Sequence, residues 1–576
     1  MTATRVRTTC TFCPFGCELE IVREGRRIIG VEYPVESPVG GGRLCPRGSA
    51  SARLLDHPKR LCYPYKDCQE RTWDQFFAEV GPIIRDCPSN EIAVTYDRNL
   101  TLEELEMVLG FANALGTDNV SPAYPESELH SHWRLEAKPK IRSADPFAVT
   151  QADILKAETI LLLGDVFGVM PVIAKPILDA RYADRSRRLY CIDSVRTRAA
   201  GFAHRFLFTK PDTEPLVLLA LAGLVDPKRA GLDPESVAAC SGIKVDDLRE
   251  VAGAFDKSKK GLVIAAIQSG RSADPKFLSG ALQFLVARMK GTKKLLFVNE
   301  STVLPGRRGF GDILTGIEKR EIRILINLGA SFPFEYPTLD RRLHDLSLLI
   351  STATMRPRSP VPGWILPVPL NLEKSGTVTT LWGAAALTQT ADPVSGSRTV
   401  AQIIEGLMDS APEREEIPVD VLPRIPAKAI IAQARELLRM SNVKCQMPNQ
   451  VPSPNVKCPT DQYPFLVLAE KPAYSQFLVL SSWFLEPGTR NQEPEVAIHA
   501  RDAGALGISN ADDVRIETAG GKKGGFKARL SEQVQPGTLL VDSNHAAARA
   551  LFEITIDKAS GMAIIPPSYA KLWRSE

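Results

Sequence analysis

From about residue 90 the chain sets short, continuous apolar runs between amphipathic or Ala/Leu-rich stretches: EIAVTYD, TILLLGD, RLYCIDS, GLVIAAIQSG, KLLFVNE, IRILINLGA and LSLLIST. Runs without polar alternation predict strands buried on both faces, and the stretches between them predict covering helices, the pattern of parallel sheets in an α/β protein. Several runs end on Gly, Asp, Asn or Ser. In doubly wound sheets those C-terminal ends receive ligands, although the same residues are ordinary turn formers. The N-terminal texture differs: ELEIVREGRRIIGVEY alternates apolar and polar residues around Glu24-Gly25, which predicts a hairpin turning there.

Residues 440–464 are rich in Pro, Asn and Ser and lack periodicity, so they read as a linker. Beyond it FLVLSSWFL, DDVRIETAGGKKGGFKARL and GTLLVDS predict strands with glycine turns and a compact β-barrel. The expected organisation is a cap over residues 1–60, an α/β lobe assembled from 61–135 and 300–440, a second α/β lobe over 136–299, a linker over 441–464 and a barrel over 465–576. The apolar stretch PLVLLALAGLV from Pro215 is too short to cross a bilayer and predicts a buried helix.

With 576 residues the chain is long enough for three or four domains. Lys and Arg number 71 against 67 acidic residues, and no basic block stands out, so nucleic-acid binding is not expected. MTATRVRTTC offers neither an apolar signal core nor a twin-arginine pair, and the eleven cysteines form no secreted disulfide framework. A cytoplasmic protein without direct membrane insertion is the expectation.

Four of those cysteines carry chemistry. Cys10, Cys13 and Cys17 stand as C-x2-C-x3-C, and Cys45 follows after 27 intervening residues. Thiolates that close repel one another unless a cation or cluster neutralises them, and four suffice for one [4Fe-4S] cluster. A tetrathiolate zinc knuckle is the rival, but it usually uses paired C-x2-C arms. Glycines in SPVGGGRLCPRG let the backbone approach a bulky inorganic core. Cys445 and Cys458 lie in the linker with no third or fourth ligand nearby and read as incidental.

A cysteine cap, two α/β lobes and a terminal barrel, in that order, resemble the molybdenum or tungsten bis-pterin oxidoreductases, the superfamily of formate dehydrogenases, nitrate reductases and DMSO reductase. GRLCPRG, LLDHPKRLCYPY and WDQFF resemble that family's cluster cysteine, its basic residue and the stretch that follows. LLLGDVFGVMPVIAKPIL, through Gly164 and Pro171, is similar to the strand and turn that receive one pterin dinucleotide. CIDSVRTRAA and KPDTEP resemble nucleotide-contacting segments, which puts Asp193, Arg196, Asp212 and Thr213 at the nucleotide. INLGASFPFEYP, through Gly329, and ILPVPLNLEKSGTVTT, through Glu373, Gly376 and Thr377, resemble motifs of the second half. ARDAGALGISNADDVRIETAGG and VQPGTLLV resemble the double-psi-like dinucleotide-binding barrel that ends these enzymes. The chemistry of these residues is suitable, since carboxylates accept from a guanine edge or ribose hydroxyl, Arg pairs with phosphate, and glycines let backbone N–H groups close on pyrophosphate. Arg47, two residues past Cys45, would stand between cluster and pterin, where many relatives carry Lys or Arg.

The resemblance implies a formate-dehydrogenase-like oxidoreductase with one [4Fe-4S] cluster and a Mo or W bis-molybdopterin guanine dinucleotide, a small-molecule substrate, and iron–sulfur or flavin proteins as redox partners. One departure matters. Formate dehydrogenases bind the metal through Cys or selenocysteine, yet no cysteine occurs between Cys87 and Cys191. Ser127 in SPAYPESELHSHWRLE is the candidate replacement ligand, as in the DMSO reductase branch, with Glu126 and Glu128 as rivals and His130 or His132 as the acid–base group. The alternative expectation is a catalytically inactive homologue that serves as an iron–sulfur relay or scaffold subunit, as the large subunit of respiratory complex I does.

Overall fold

The computed structural model describes the chain apart from residues 1–2, 26, 44, 68, 98, 124–133, 136–148, 229–230, 269, 299–306, 330–339, 357–361, 409–423, 426–434, 436–461, 471–492, 544, 558–561 and 576. Ser127, His130 and their rivals Glu126, Glu128 and His132 lie outside the described residues. So do Cys445, Cys458, nearly all of the linker, and the predicted strand FLVLSSWFL.

The cap is a three-stranded antiparallel sheet. Its hairpin pairs Glu18–Glu24 with Arg27–Glu32, and Glu24 opposite Arg27 puts the turn one residue later than the polar pattern suggests. An additional strand, Thr4–Thr9, pairs antiparallel with Glu18–Glu24, from Thr4 opposite Arg23 to Thr9 opposite Glu18. Its sequence TRVRTT has one apolar residue, so hydrophobic patterning could not mark it.

Both expected parallel sheets are present. The first holds five strands in the order Arg205–Phe208, Arg188–Asp193, Thr159–Leu163, Lys260–Ala265 and Thr292–Phe297, all parallel. Strand order reverses at Thr159–Leu163: the chain moves outward to one side, then returns to lay Lys260–Ala265 on the other. That switch point opens a crevice beyond the strand ends. Gly164 stands there at φ +72°, and a Cβ on it would lie 2.2 Å from the Ala266 carbonyl oxygen, so only glycine lets the two strand ends come this close. Helix Glu214–Val225, buried along nearly its whole length, fills the space beside this sheet as the apolar run predicted.

The second sheet has seven strands, drawing Ile92–Tyr96 and Val120–Pro122 from before the first sheet and Ile324–Leu328, Leu348–Ala353 and Trp364–Pro367 from after it. The two-residue strands Tyr65–Lys66 and Gln69–Glu70 add an antiparallel edge. Helices Trp73–Asp86 and Leu102–Ala114 cover one face, each started by a capping box, Thr72 with Gln75 and Thr101 with Glu104.

The C-terminal unit is a closed six-stranded barrel of Phe465–Glu470, Thr538–Asp542, Glu495–Ile498, Lys523–Leu530, Asp513–Thr518 and Ser568–Arg574. Its apolar interior is continuous with Ala93, Leu325 and Leu349 of the seven-stranded sheet. It also closes over the C-terminal edge of the five-stranded sheet: Gly270 N–H donates to the Ile565 carbonyl, Ala469 N–H to the Gly270 carbonyl, and Arg196 N–H to the Gln533 carbonyl. No described helix is long and apolar enough to cross a membrane.

Candidate functional site

Cys10 directly follows the strand Thr4–Thr9, and its N–H donates to the Cys17 carbonyl at 2.7 Å, closing the loop that carries Cys13. Cys45 immediately precedes the short helix Pro46–Ser49. Cys10, Cys17 and Cys45 are buried and Cys13 is partly so, and none of the eight described cysteines is in a disulfide. The four thiols are near enough to feel one another. Burial first, then the neighbouring sulfurs, push the Cys10 thiol up to about 12 and drive Cys17 in the same direction. The cap core and one face of the five-stranded sheet form a single apolar body that includes Phe15, Leu19, Ile21, Ile160, Leu162 and Leu262. The thiols are thus fastened directly onto the sheet that carries the crevice.

Arg47 joins the two. It is buried, its Nη2 donates to the Val169 carbonyl at 2.7 Å, and its Nε has no hydrogen-bond partner among the described residues. Val169 belongs to the turn that follows Gly164, and the guanidinium charge acts on Cys10 to favour its thiolate.

At the crevice the structure brings Gly164, Asp193, Asp212 and Thr213 to one strand-end edge. Gly164 N–H donates to the Ile192 carbonyl, Thr209 N–H to the Asp193 carbonyl, and the Thr209 and Thr213 hydroxyls bond to each other. Asp212 has φ +62°, and its carboxylate accepts the Ala273 N–H at 2.8 Å. Arg196 is held otherwise, with its guanidinium over the rings of Phe206 and Phe208. The cation paired with Asp193 is Arg271, from the loop after Lys260–Ala265. Sequence reasoning passed over it; the signal was the apolar run GLVIAAIQSG ending in polar residues just before it.

Carboxyls dominate this edge. Asp193 is raised to about 6 by burial in spite of Arg271, Asp212 to about 7 by burial, and Glu214 to about 8 by burial and then by Asp212. Glu470 reaches in from the barrel and is raised to about 7, again by burial first. Among the described residues, the buried atoms left without a hydrogen-bond partner include Asp193 Oδ2 and Gln268 Nε2. An acceptor and a donor both left unsatisfied under the barrel are what a polar ligand would complete.

Of the remaining predicted residues, Gly329 follows Ile324–Leu328 of the seven-stranded sheet, Glu373 ends the turn Asn371–Glu373, and Gly376 and Thr377 begin a separate two-stranded ribbon, Gly376–Thr380 with Gly383–Leu387. Gly329 N–H donates to Thr352 Oγ1, Glu373 pairs with Arg60, and the Thr377 N–H donates to Glu103 Oε2 at 2.9 Å. The loops that leave Val120–Pro122 and Ile324–Leu328 at the seven-stranded sheet's C-terminal edge continue into residues outside the described set.

A thiol-bearing cap, a doubly wound sheet and a barrel over its strand ends define the architecture. The family described as the molybdopterin oxidoreductase Fe4S4 domain matches residues 3–57, and the molydopterin dinucleotide binding domain matches residues 485–569. A nitrate reductase of Klebsiella oxytoca is 23% identical over 231 residues, which is 38% of this chain and 26% of that protein. The F420-dependent formate dehydrogenase subunit alpha of Methanocaldococcus jannaschii is 24% identical over 226 residues, 38% of this chain and 33% of its own length. The match therefore spans a quarter to a third of these curated relatives. Acetylene hydratase from Pelobacter acetylenicus superposes with a TM-score of 0.72 at 13% identity, covering 99% of this chain and 100% of that one, a likeness of fold. The two ends of this chain thus match domains described for molybdopterin oxidoreductases, and the chain is similar at low identity to a nitrate reductase and a formate dehydrogenase subunit.

Proposed function

We propose that this chain is a formate-dehydrogenase-like molybdopterin oxidoreductase subunit whose Cys10, Cys13, Cys17 and Cys45 hold one [4Fe-4S] cluster and pass electrons to partner redox subunits. The observation that carries the reading is the convergence of four thiols outside any disulfide, three of them buried, with Arg47 between them and the Gly164 turn. Among the described residues no three His, Cys, Asp or Glu side chains are arranged around a single ion. A four-iron cluster takes each thiolate on a different iron, so its ligands stand apart around a larger body, which suits this cap better than a zinc knuckle does.

The crevice residues fit a pterin dinucleotide. Gly164 leaves its backbone open at the switch point, Asp193 Oδ2 and Gln268 Nε2 offer an acceptor and a donor, and the carboxyls of Asp212 and Glu214, raised into the neutral range, can donate as well as accept. When bound, the Mo or W pterin supplies two-electron exchange with a small-molecule substrate. The chain's own part is to orient the dinucleotide, exclude water beneath the barrel, and keep a fixed cation at Arg47 between the two redox groups. Ser127 is proposed as the metal ligand and His130 as the acid–base group.

The missing thiol between Cys87 and Cys191 favours a second reading, an iron–sulfur relay or scaffold subunit without metal catalysis. Metal and pterin analysis of anaerobically purified protein separates the two. Iron at about four per chain together with Mo or W and extractable pterin supports the enzyme; iron without them supports the relay; absence of iron overturns both.

A further inference from the structure

The cap carries an unusual surface beside its thiols. Val35 is 79% exposed, Ile29 49% and Tyr33 47%, three large apolar side chains within seven residues of one another. Their neighbours Ile28, Val31 and Val39 point the other way, into the core that holds Cys10, Cys17 and Cys45. The run Gly40-Gly41-Gly42 touches both sides. A Cβ on Gly40 would stand 3.9 Å from Cys17 Sγ, and a Cβ on Gly42 would stand 3.0 Å from the Val35 Cα. A side-chain-free stretch of backbone thus runs from beside the Cys17 sulfur to beside the exposed Val35.

The electrostatics are equally local. Residues 1–60 contain ten basic and six acidic residues; with Arg60 paired to Glu373 and Arg47 buried, eight basic residues stand against the six acidic ones. Arg5 is engaged with Glu32, and Arg7 with Glu20 and Glu36. Arg27 and Arg43, both exposed, have no carboxylate partner among the described residues. Exposed apolar side chains rimmed by uncompensated cations mark a site for a protein of opposite charge, because the apolar centre supplies contact while the rim steers the approach.

We propose that Ile29, Tyr33 and Val35, with Arg27 and Arg43, form the docking surface for an acidic one-electron carrier protein, with Gly40–Gly42 as the side-chain-free stretch past which the electron leaves. The inference rests on the cluster reading above. One electron passes from the reduced protein to the oxidised carrier, whose centre is reduced, and no bond is made or broken. Electron transfer slows steeply with separation, so a stretch of three glycines at this point of the cap serves the exchange.

The test uses the full chain and a small acidic [2Fe-2S] ferredoxin as probe, with binding followed by the visible absorbance change or calorimetry and, separately, single-turnover reduction of the ferredoxin. V35D and R27E are each expected to raise the dissociation constant about tenfold. Raising ionic strength from about 0.01 M to about 0.15 M weakens parent binding in the same direction. Reduction of the chain by dithionite stays unchanged in both variants. Equal affinity of parent and variants overturns the docking surface, as does tighter binding of a basic c-type cytochrome or a self-association of the chain that V35D abolishes. Absence of iron in the parent overturns the cluster reading instead, so the two failures are told apart.

Discussion

Arg60 and Glu373, 313 residues apart in sequence, form a buried ion pair: Arg60 Nη2 lies 2.7 Å from Glu373 Oε2, with side chains 4% and 2% exposed. Glu373 Oε2 also accepts the Leu370 N–H, so this one oxygen fixes the loop before Gly376 as well. Leu61 N–H donates to the Thr354 carbonyl and Arg356 N–H to the Lys59 carbonyl beside it, which clamps the segment leaving the cap to the seven-stranded sheet. Removing one partner strands the other charge without water. Arg60→Met or Glu373→Leu alone is expected to cost about 3–5 kcal/mol, whereas the double substitution recovers much of the loss. Denaturant unfolding of the two single variants and the double variant checks this, and additive losses would refute the coupling.

The four cap thiols and the other buried cysteines make opposite predictions. Cys17→Ser removes a proposed iron ligand and is expected to lower iron content well below the parent value, with loss of the visible absorbance. Cys240, 1% exposed in the core beside the five-stranded sheet, has no such role. Cys240→Ser is expected to keep the full iron content while costing on the order of 1 kcal/mol for a hydroxyl in an apolar site. Iron and sulfide assays on the two variants decide it.

Much of this architecture could be read along the chain because parallel strands buried on both faces leave long apolar runs. TILLL and IAVTY needed no partner to be identified. The strand Thr4–Thr9 needed one, since its pairing with Glu18–Glu24 and not its composition makes it a strand. The same division runs through the site. Four cysteines in close spacing are a local signal, and so is a glycine after a strand. The Arg271 pairing with Asp193 joins residues 78 apart, and Glu470 reaches the same cluster from the barrel. No local pattern distinguishes Arg271 from a surface arginine, because its role is set by the loop that Asp212 and Ile565 hold in place.

Buried carboxyls under the barrel give the cofactor-free chain a definite pH response. Glu214 is raised to about 8, Asp212 to about 7 and Asp193 to about 6, with Arg271 as the cation among them. The folded chain therefore keeps protons that the unfolded chain releases near pH 4. The unfolded state binds fewer protons than the folded one between that point and about pH 8, so stability falls as pH rises through this window. Glu214→Gln removes one of the groups that must ionise or stay protonated. It is expected to flatten the slope, leaving the stability close to the parent at pH 5 and above it at pH 8, by on the order of a few kcal/mol, with the melting temperature rising to match. Melting curves of the two proteins across that range test it. An unchanged slope would mean that Glu214 titrates as an ordinary carboxylate.

Arg47 is a fixed cation that touches both the thiol cap and the Gly164 turn. Its Nη2 is tied to the Val169 carbonyl and it is only 6% exposed, so water screens its charge poorly. Adding an electron to a centre beside a positive charge is easier than adding it to the same centre alone. Arg47→Gln keeps a donor for Val169 and deletes the charge; it is expected to lower the midpoint potential of the cap centre by roughly tens of millivolts, the scale on which nearby charge tunes such centres. Arg47→Lys keeps the charge and is expected to stay near the parent. Redox titration followed by EPR reads the potential directly, apart from any turnover. A merely structural arginine would give the opposite ordering, because lysine cannot reproduce the planar donor that glutamine's amide partly preserves.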